Sequence, residues 1–228
     1  MTKVAAGQDL FDKISHFLQQ NHSEHTEELE SFVHSLFALS PIKELEAEPV
    51  SDLCGMILEL RAFLENFQEG SPKVKSFNPV LETDGWEHPN TQIFVLHRDM
   101  AFLVDSIRMA LSRNGLALHG VNSTLFNVVR DEAGTLQEIV NDSREGSCRE
   151  ALIYFQVDRY SSPEEHAKVV DQICEVLACV EAVNADYVPA VNQLKTVIAN
   201  VEENTRSENN RQTGEVVAFL HWMLDNHF

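Results

Sequence analysis

His97, Arg98 and Asp99 stand together at the end of an apolar run, with Asp105 a short way on. A histidine and two carboxylates are the residue types of general acid–base chemistry, but that work needs a pocket and matched pKa values, which spacing does not supply. The plainer expectation makes Asp99 a helix cap and pairs Asp105 with Arg108 or Arg98 across helical spacing. His22 and His25, beside Glu24 and Glu28, form a weak candidate metal group. Structural zinc needs four convergent ligands, so solvated surface histidines and no metal are expected there. His221 and His227 face different sides of a helix and are not paired. The chain contains no G-x-G-x-x-G, no G-x-x-x-x-G-K-[ST] and no G-x-S-x-G, so it lacks the glycines of a nucleotide cradle and a nucleophile elbow. Asn122-Ser123-Thr124 matches a glycosylation acceptor, which means nothing without a secretory route. None of Cys54, Cys148, Cys174 and Cys179 forms a C-x-x-C pair, and reduced thiols are expected, with Cys54 and Cys174 among apolar residues.

The whole composition narrows the partners. The 228 residues include 36 acidic and 17 basic ones, for a formal net charge of -19. Such a field repels phosphate backbones and anionic lipid, so neither nucleic acid nor membrane is an expected partner. Hydrophobic residues make up 43% and mean hydropathy is -0.20, the balance of a globular protein. No apolar run approaches the ~18 residues of a membrane span. Met1 to Gln20 has no uninterrupted apolar core, which argues against a secretory signal and for the cytoplasm.

The elements that must position these side chains follow from periodicity. Leu10, Phe11, Ile14, Phe17 and Leu18 recur at helical steps, as do Leu29, Phe32, Val33, Leu36 and Phe37, and then Leu53, Ile57, Leu60, Leu64 and Phe67. Pro41 and Pro49 bracket an acidic connector. After Pro72 the pattern changes. Lys73 to Val80 is predicted extended, Thr83 to Asn90 a loop and Thr91 to His97 a strand. A helix from about Met100 to Arg113 should follow, capped by Asp99 and ended at Gly115. Leu116 to Arg130 and Leu136 to Val140 should form a hairpin around Asp131 to Thr135, and Ala151 to Val157 another strand. Ser162-Pro163-Glu164-Glu165 has the form of a capping box with proline at the first helical position. Pro189 is expected to open a further helix to about Glu203, residues 202–212 to be a linker, and Thr213 to cap a last helix. Its Trp222, Phe219, Leu220, Met223 and Leu224 should leave an apolar surface. The order predicts an α+β fold: a helical segment over residues 1–72, a ferredoxin-like antiparallel sheet covered by helices on one face over 73–188, and C-terminal helices over 189–228. The segment 180–188, where a last ferredoxin-like strand should lie, reads as helix or loop.

The stretch Asp99 to Met109 (DMAFLVDSIRM) resembles the pattern DMPFLVDSVRM of the large bacterial NAD-specific glutamate dehydrogenases. Leu111, Gly115, His119, Arg130-Asp131, Gly134, Phe77-Asn78-Pro79 and Asp84-Gly85-Trp86 extend the likeness, as does Glu215 to Phe228. The resemblance implies an ACT-like region ahead of a distant catalytic core. It further implies that Phe228 falls inside the family pattern, so that the chain is an N-terminal fragment without catalytic residues or cofactor. NAD and the oxidative deamination of L-glutamate to 2-oxoglutarate would belong to the parent enzyme. Other modules of the same chain and homo-oligomer subunits are the implied partners. ACT domains often bind a small effector at the first strand–helix turn, with the pattern D-x-P-G-L. Asp99-Met100-Ala101-Phe102-Leu103 is in register with it, so His97, Arg98, Asp99, Met100, Ala101 and Phe102 are the implied site of an amino-acid effector. Ala101 stands where the proline would be and Phe102 where the glycine would be, which sets a bulky side chain where a ligand would sit.

Overall fold

The computed structural model describes residues 2–21, 26–38, 40, 42–205 and 211–225. His22, Glu24, His25 and His227 lie outside the described residues. The chain divides into two compact units, residues 1–177 and 178–228.

Four helices open the first unit: α1 (Thr2–Asn21), α2 (Thr26–Leu36), the single turn α3 (Ile42–Leu45) and α4 (Val50–Glu65). Their apolar residues recur every three or four positions, so each helix has a face that must leave water. Leu10, Ile14 and Leu18 of α1, Leu29, Phe32 and Val33 of α2, and Leu53, Ile57, Leu60 and Leu64 of α4 are all buried. The acidic connector contains α3. The sheet follows, with β1 (Lys73–Phe77), β2 (Thr91–Arg98), β3 (Leu118–Arg130), β4 (Leu136–Val140) and β5 (Cys148–Val157). One helical turn, α5 (Leu81–Asp84), overlaps the start of the stretch expected to be loop, and α6 (Leu103–Arg113) joins β2 to β3.

The strand order is β1-β2-β5-β3-β4 and every neighbouring pair is antiparallel. β5 therefore separates β2 from β3, and those two run parallel, joined by the α6 crossover. That is the first half of a ferredoxin-like unit. In such a unit a last strand returns beside β2 after the second helix. Here residues 180–188 are helical, and β1, from upstream, takes the edge beside β2.

Phe94, Leu96, Leu152, Tyr154, Phe126 and Val128 share one core with the N-terminal helices. Strand alternation sends Ile93, Val95, Ile153 and Phe155 to the other face. All four are fully buried, as are Leu103, Ile107 and Leu111 of α6 and Ile173 and Leu177 of α7 (Pro163–Thr205). The expected one-sided cover is thus corrected to helices on both faces. The reason lies in residues 93–96, apolar at every position, which a one-sided sheet would leave half exposed.

Helix ends show where sequence signals won and lost. Gly115 adopts φ 75, Leu116 N–H donates to Leu111 O (3.2 Å) and Gly115 N–H to Ser112 O (3.0 Å), the Schellman pattern expected for α6. α7 begins at Pro163 as predicted, but the Ser162 hydroxyl donates to the Glu164 carboxylate rather than closing the box on Glu165. α7 then continues through Pro189 without ending, which corrects the expected helix start there. Val180, Tyr187, Val191, Leu194 and Ile198 keep helical spacing across the proline, and Val180 and Ile198 are buried, so the apolar period outweighs the breaker. α8 (Arg211–Leu224) starts before Thr213, so that threonine is not its cap; residues 202–205 and 211–212 of the expected linker are helical.

Candidate functional site

At the β2–α6 turn, Asp99 extends the ladder by one bond, its N–H donating to Arg149 O at 2.9 Å, and its carboxylate meets Arg149 Nε at 3.2 Å. Phe102 then takes φ 71, ψ 8, and α6 begins at Leu103 with no side-chain cap bond. The expected start near Met100 under an Asp99 cap is therefore corrected: Asp99 is still strand in its hydrogen bonding, and the reversal needs a left-handed residue first. That residue is Phe102, at the position where the D-x-P-G-L pattern has glycine. An L-residue there costs roughly 1–2 kcal/mol. Its ring is 66% exposed while Leu103 beside it is buried.

An open hollow of about 460 Å³ lies at this turn, with Asp99, Met100, Phe102, Asp105, Ser123 and Thr124 in its wall. Three of the six expected effector-site residues therefore come together. Ala101 is exposed beside them. His97 is 2% exposed and its Nδ1 bonds to Arg98 O at 2.9 Å. Arg98 pairs with Glu69 and lines a different hollow. Arg98 is thus not the partner of Asp105, which is exposed. The wall offers hydroxyls, two carboxylates and the uncapped first turn of a helix, groups suited to holding a small polar molecule.

A second polar cluster, unforeseen in the sequence, joins the sheet to α4. Arg130 and Glu150 form a buried ion pair, Nε to Oε1 at 2.7 Å and Nη2 to Oε2 at 2.8 Å, with side chains 8% and 2% exposed. The remaining Arg130 donors reach Leu64 O (2.8 Å), Glu65 O (3.1 Å) and Gly134 O (2.8 Å). Lys73 Nζ donates to Phe63 O at 2.7 Å and Asn66 O at 2.8 Å. Carbonyls 63 to 66, left without intrahelical partners at the end of α4, are thus all held by two cations, which also face the negative end of the helix dipole. Burial, with the Arg130 charge next, holds the Lys73 ammonium below its ordinary pKa. The end of α2 is tied similarly: Asn122 Nδ2 and Thr124 Oγ1 both donate to Leu36 O, at 2.9 and 3.1 Å. The glycosylation-like triplet is therefore a helix dock. The signal for Arg130 was its place on the inward face at the end of a strand. The partner carbonyls lie too far off in sequence for any spacing rule.

The family model described as "Glutamate dehydrogenase, ACT1 domain" matches residues 32–173. The chain belongs to that ACT1 family. The match runs from α2 to α7 and so contains the Asp99 turn and the Arg130 cluster of the ACT1 region. NAD-specific glutamate dehydrogenases of Halomonas elongata and Pseudomonas aeruginosa are each 33% identical to the chain, over 88% and 86% of its length. The aligned parts are 13% and 12% of those relatives, so this ACT1 chain spans a small share of the proteins it resembles. Among the described residues no helix is long and apolar enough to cross a membrane.

Proposed function

We propose that the chain is a non-catalytic regulatory and assembly module of a cytoplasmic NAD-dependent glutamate dehydrogenase. In that role it binds no NAD itself and docks onto other modules of the enzyme and onto sibling subunits. The observation behind it is the apolar surface of α8, where Val216, Phe219 and Trp222 are 51%, 56% and 47% exposed. Phe219 and Trp222 stack with centroids 5.9 Å apart. A stacked aromatic pair about half exposed suits a surface made to be covered. Glutamate-dependent NADH formation by the chain alone is expected to be absent; turnover that scales with chain concentration overturns the proposal. Added to a Pseudomonas-type NAD-specific glutamate dehydrogenase lacking the corresponding segment, the chain should bind. A Phe219→Ser, Trp222→Ser variant should bind at least tenfold more weakly, and equal binding would count against α8.

A second role fits the hollow at the Asp99 turn: capture of an amino acid, its carboxylate on the uncapped first turn of α6. Calorimetry against the common amino acids tests it, and silence across the panel at millimolar concentration removes it.

A further inference from the structure

At the opposite end of β2 from the Asp99 turn, a hollow of about 330 Å³ opens between the acidic connector and the sheet. Glu44, Glu48 and Asp52 contribute carboxylates to its wall, Trp86, His88 and Tyr154 contribute rings, and no lysine or arginine lines it. Burial above all pushes the Tyr154 phenol up to about 12, with Glu44 and Glu48 adding to it against the Asn122 hydrogen bond. Asp52 is fixed in place, accepting the Glu87 N–H at 3.3 Å.

Two of the lining residues carry a buried donor that lacks a hydrogen bond. His88 is 7% exposed; its Nδ1 takes the Asn90 N–H at 3.1 Å and the Gln92 amide at 2.9 Å, which places the ring proton on Nε2. That Nε2 has no hydrogen-bond partner and stands 3.6 Å from Glu48 Oε1. The indole N–H of Trp86, 1% exposed, is also unpartnered. Buried donors in a native structure are nearly always satisfied, so the His88 N–H in particular calls for an acceptor. The Glu48 side chain beside it is 35% exposed and borders the same hollow.

The geometry points to a binding site for a compact organic cation, an ammonium or guanidinium whose body also carries a hydrogen-bond acceptor. The cation sits among Glu44, Glu48 and Asp52 in a hollow that Trp86 and Tyr154 also line; its acceptor takes the N–H of His88. This site shares no residue with α8 or with the Asp99 turn, so its test is independent of theirs.

The chain has two tryptophans, and Trp222→Phe leaves Trp86 as the sole indole reporter. In that background, N-acetylputrescine and N-acetylagmatine should shift Trp86 emission saturably, and the neutral N-butylacetamide should not. Glu44→Gln with Glu48→Gln should weaken binding of the better cation at least tenfold, while Glu132→Gln, outside this hollow, should leave it unchanged. No saturation by either cation, equal binding of the neutral amide, or full affinity in the double variant would each overturn the assignment. An unchanged far-ultraviolet circular dichroism spectrum of the double variant shows that lost affinity reflects lost charge.

Discussion

Arg130 carries more structure than any other side chain described, because its five donors serve one carboxylate and three backbone carbonyls. Arg130→Met leaves the Glu150 charge buried and the Leu64 and Glu65 carbonyls of α4 unheld; a loss of about 3–5 kcal/mol in urea denaturation is expected. Replacing both partners by apolar residues should recover part of that, since the stranded charge goes while the carbonyls stay unpaired. Gly134, beside it, has φ 83, and a Cβ there would lie 2.3 Å from Phe67 O, so Gly134→Ala should cost on the order of 2 kcal/mol. Phe102→Gly should do the reverse. It relieves a left-handed residue whose ring is mostly in water, and is expected to leave stability unchanged or raise it by up to about 1 kcal/mol, read as a Tm shift. His166 supplies a pH dependence. Its Nδ1 is 2.9 Å from the Ser76 hydroxyl, which also meets Tyr160 at 2.8 Å. Burial foremost lowers its pKa below the ordinary value of 6.5, against the pull of Tyr160 and Glu165 and with that of Arg159. The unfolded chain therefore takes up this proton first as pH falls. The stability held above pH 6.5 is lost below it, and His166→Gln should flatten that part of the urea-stability profile.

At the scale of elements, α7 invites a direct test. Pro189 removes one helical hydrogen bond and lies in an exposed stretch, residues 185–190. Pro189→Ala should strengthen the helix locally by about 3 kcal/mol, seen as slower amide hydrogen exchange from Ala185 to Val191. The same proline shows how far the sequence could be read. Local signals carried the amphipathic helices, the hairpin whose second arm is Leu136–Val140, the Gly115 stop and the Pro163 start, because each depends on residues within one or two turns. What escaped depends on distant chain. The edge beside β2 is taken by β1, a pairing that periodicity does not encode. Asp99 has the right residue type for a cap, yet Arg149 on β5 holds it in the ladder. Of the expected effector residues, Asp99, Met100 and Phe102 share a hollow, whereas His97 belongs to a strand too apolar to leave it outside.

For the whole molecule, charge and apolar surface oppose each other. A net charge of -19 repels copies of the chain, while Phe219, Trp222, Tyr187 and Val188 offer apolar area in the second unit. Raising ionic strength shortens the reach of the repulsion, to about 3 Å at 1 M salt, and leaves the apolar attraction intact. Association through these helices should therefore strengthen with salt in sedimentation velocity, the opposite of a contact built on ion pairs. The position of β1 bears on truncation as well. A sheet completed by polypeptide from upstream needs no further strand after β5, only the cover of Ile173 and Leu177 at the start of α7. The chain after β5 owes no strand to the sheet, and α7 is at liberty to run on for 43 residues. Trimming the protein from the front should then be the damaging cut, since removal of residues 1–77 strips β2 of a neighbour and bares its edge, whereas removal of residues 178–228 leaves all five strands paired.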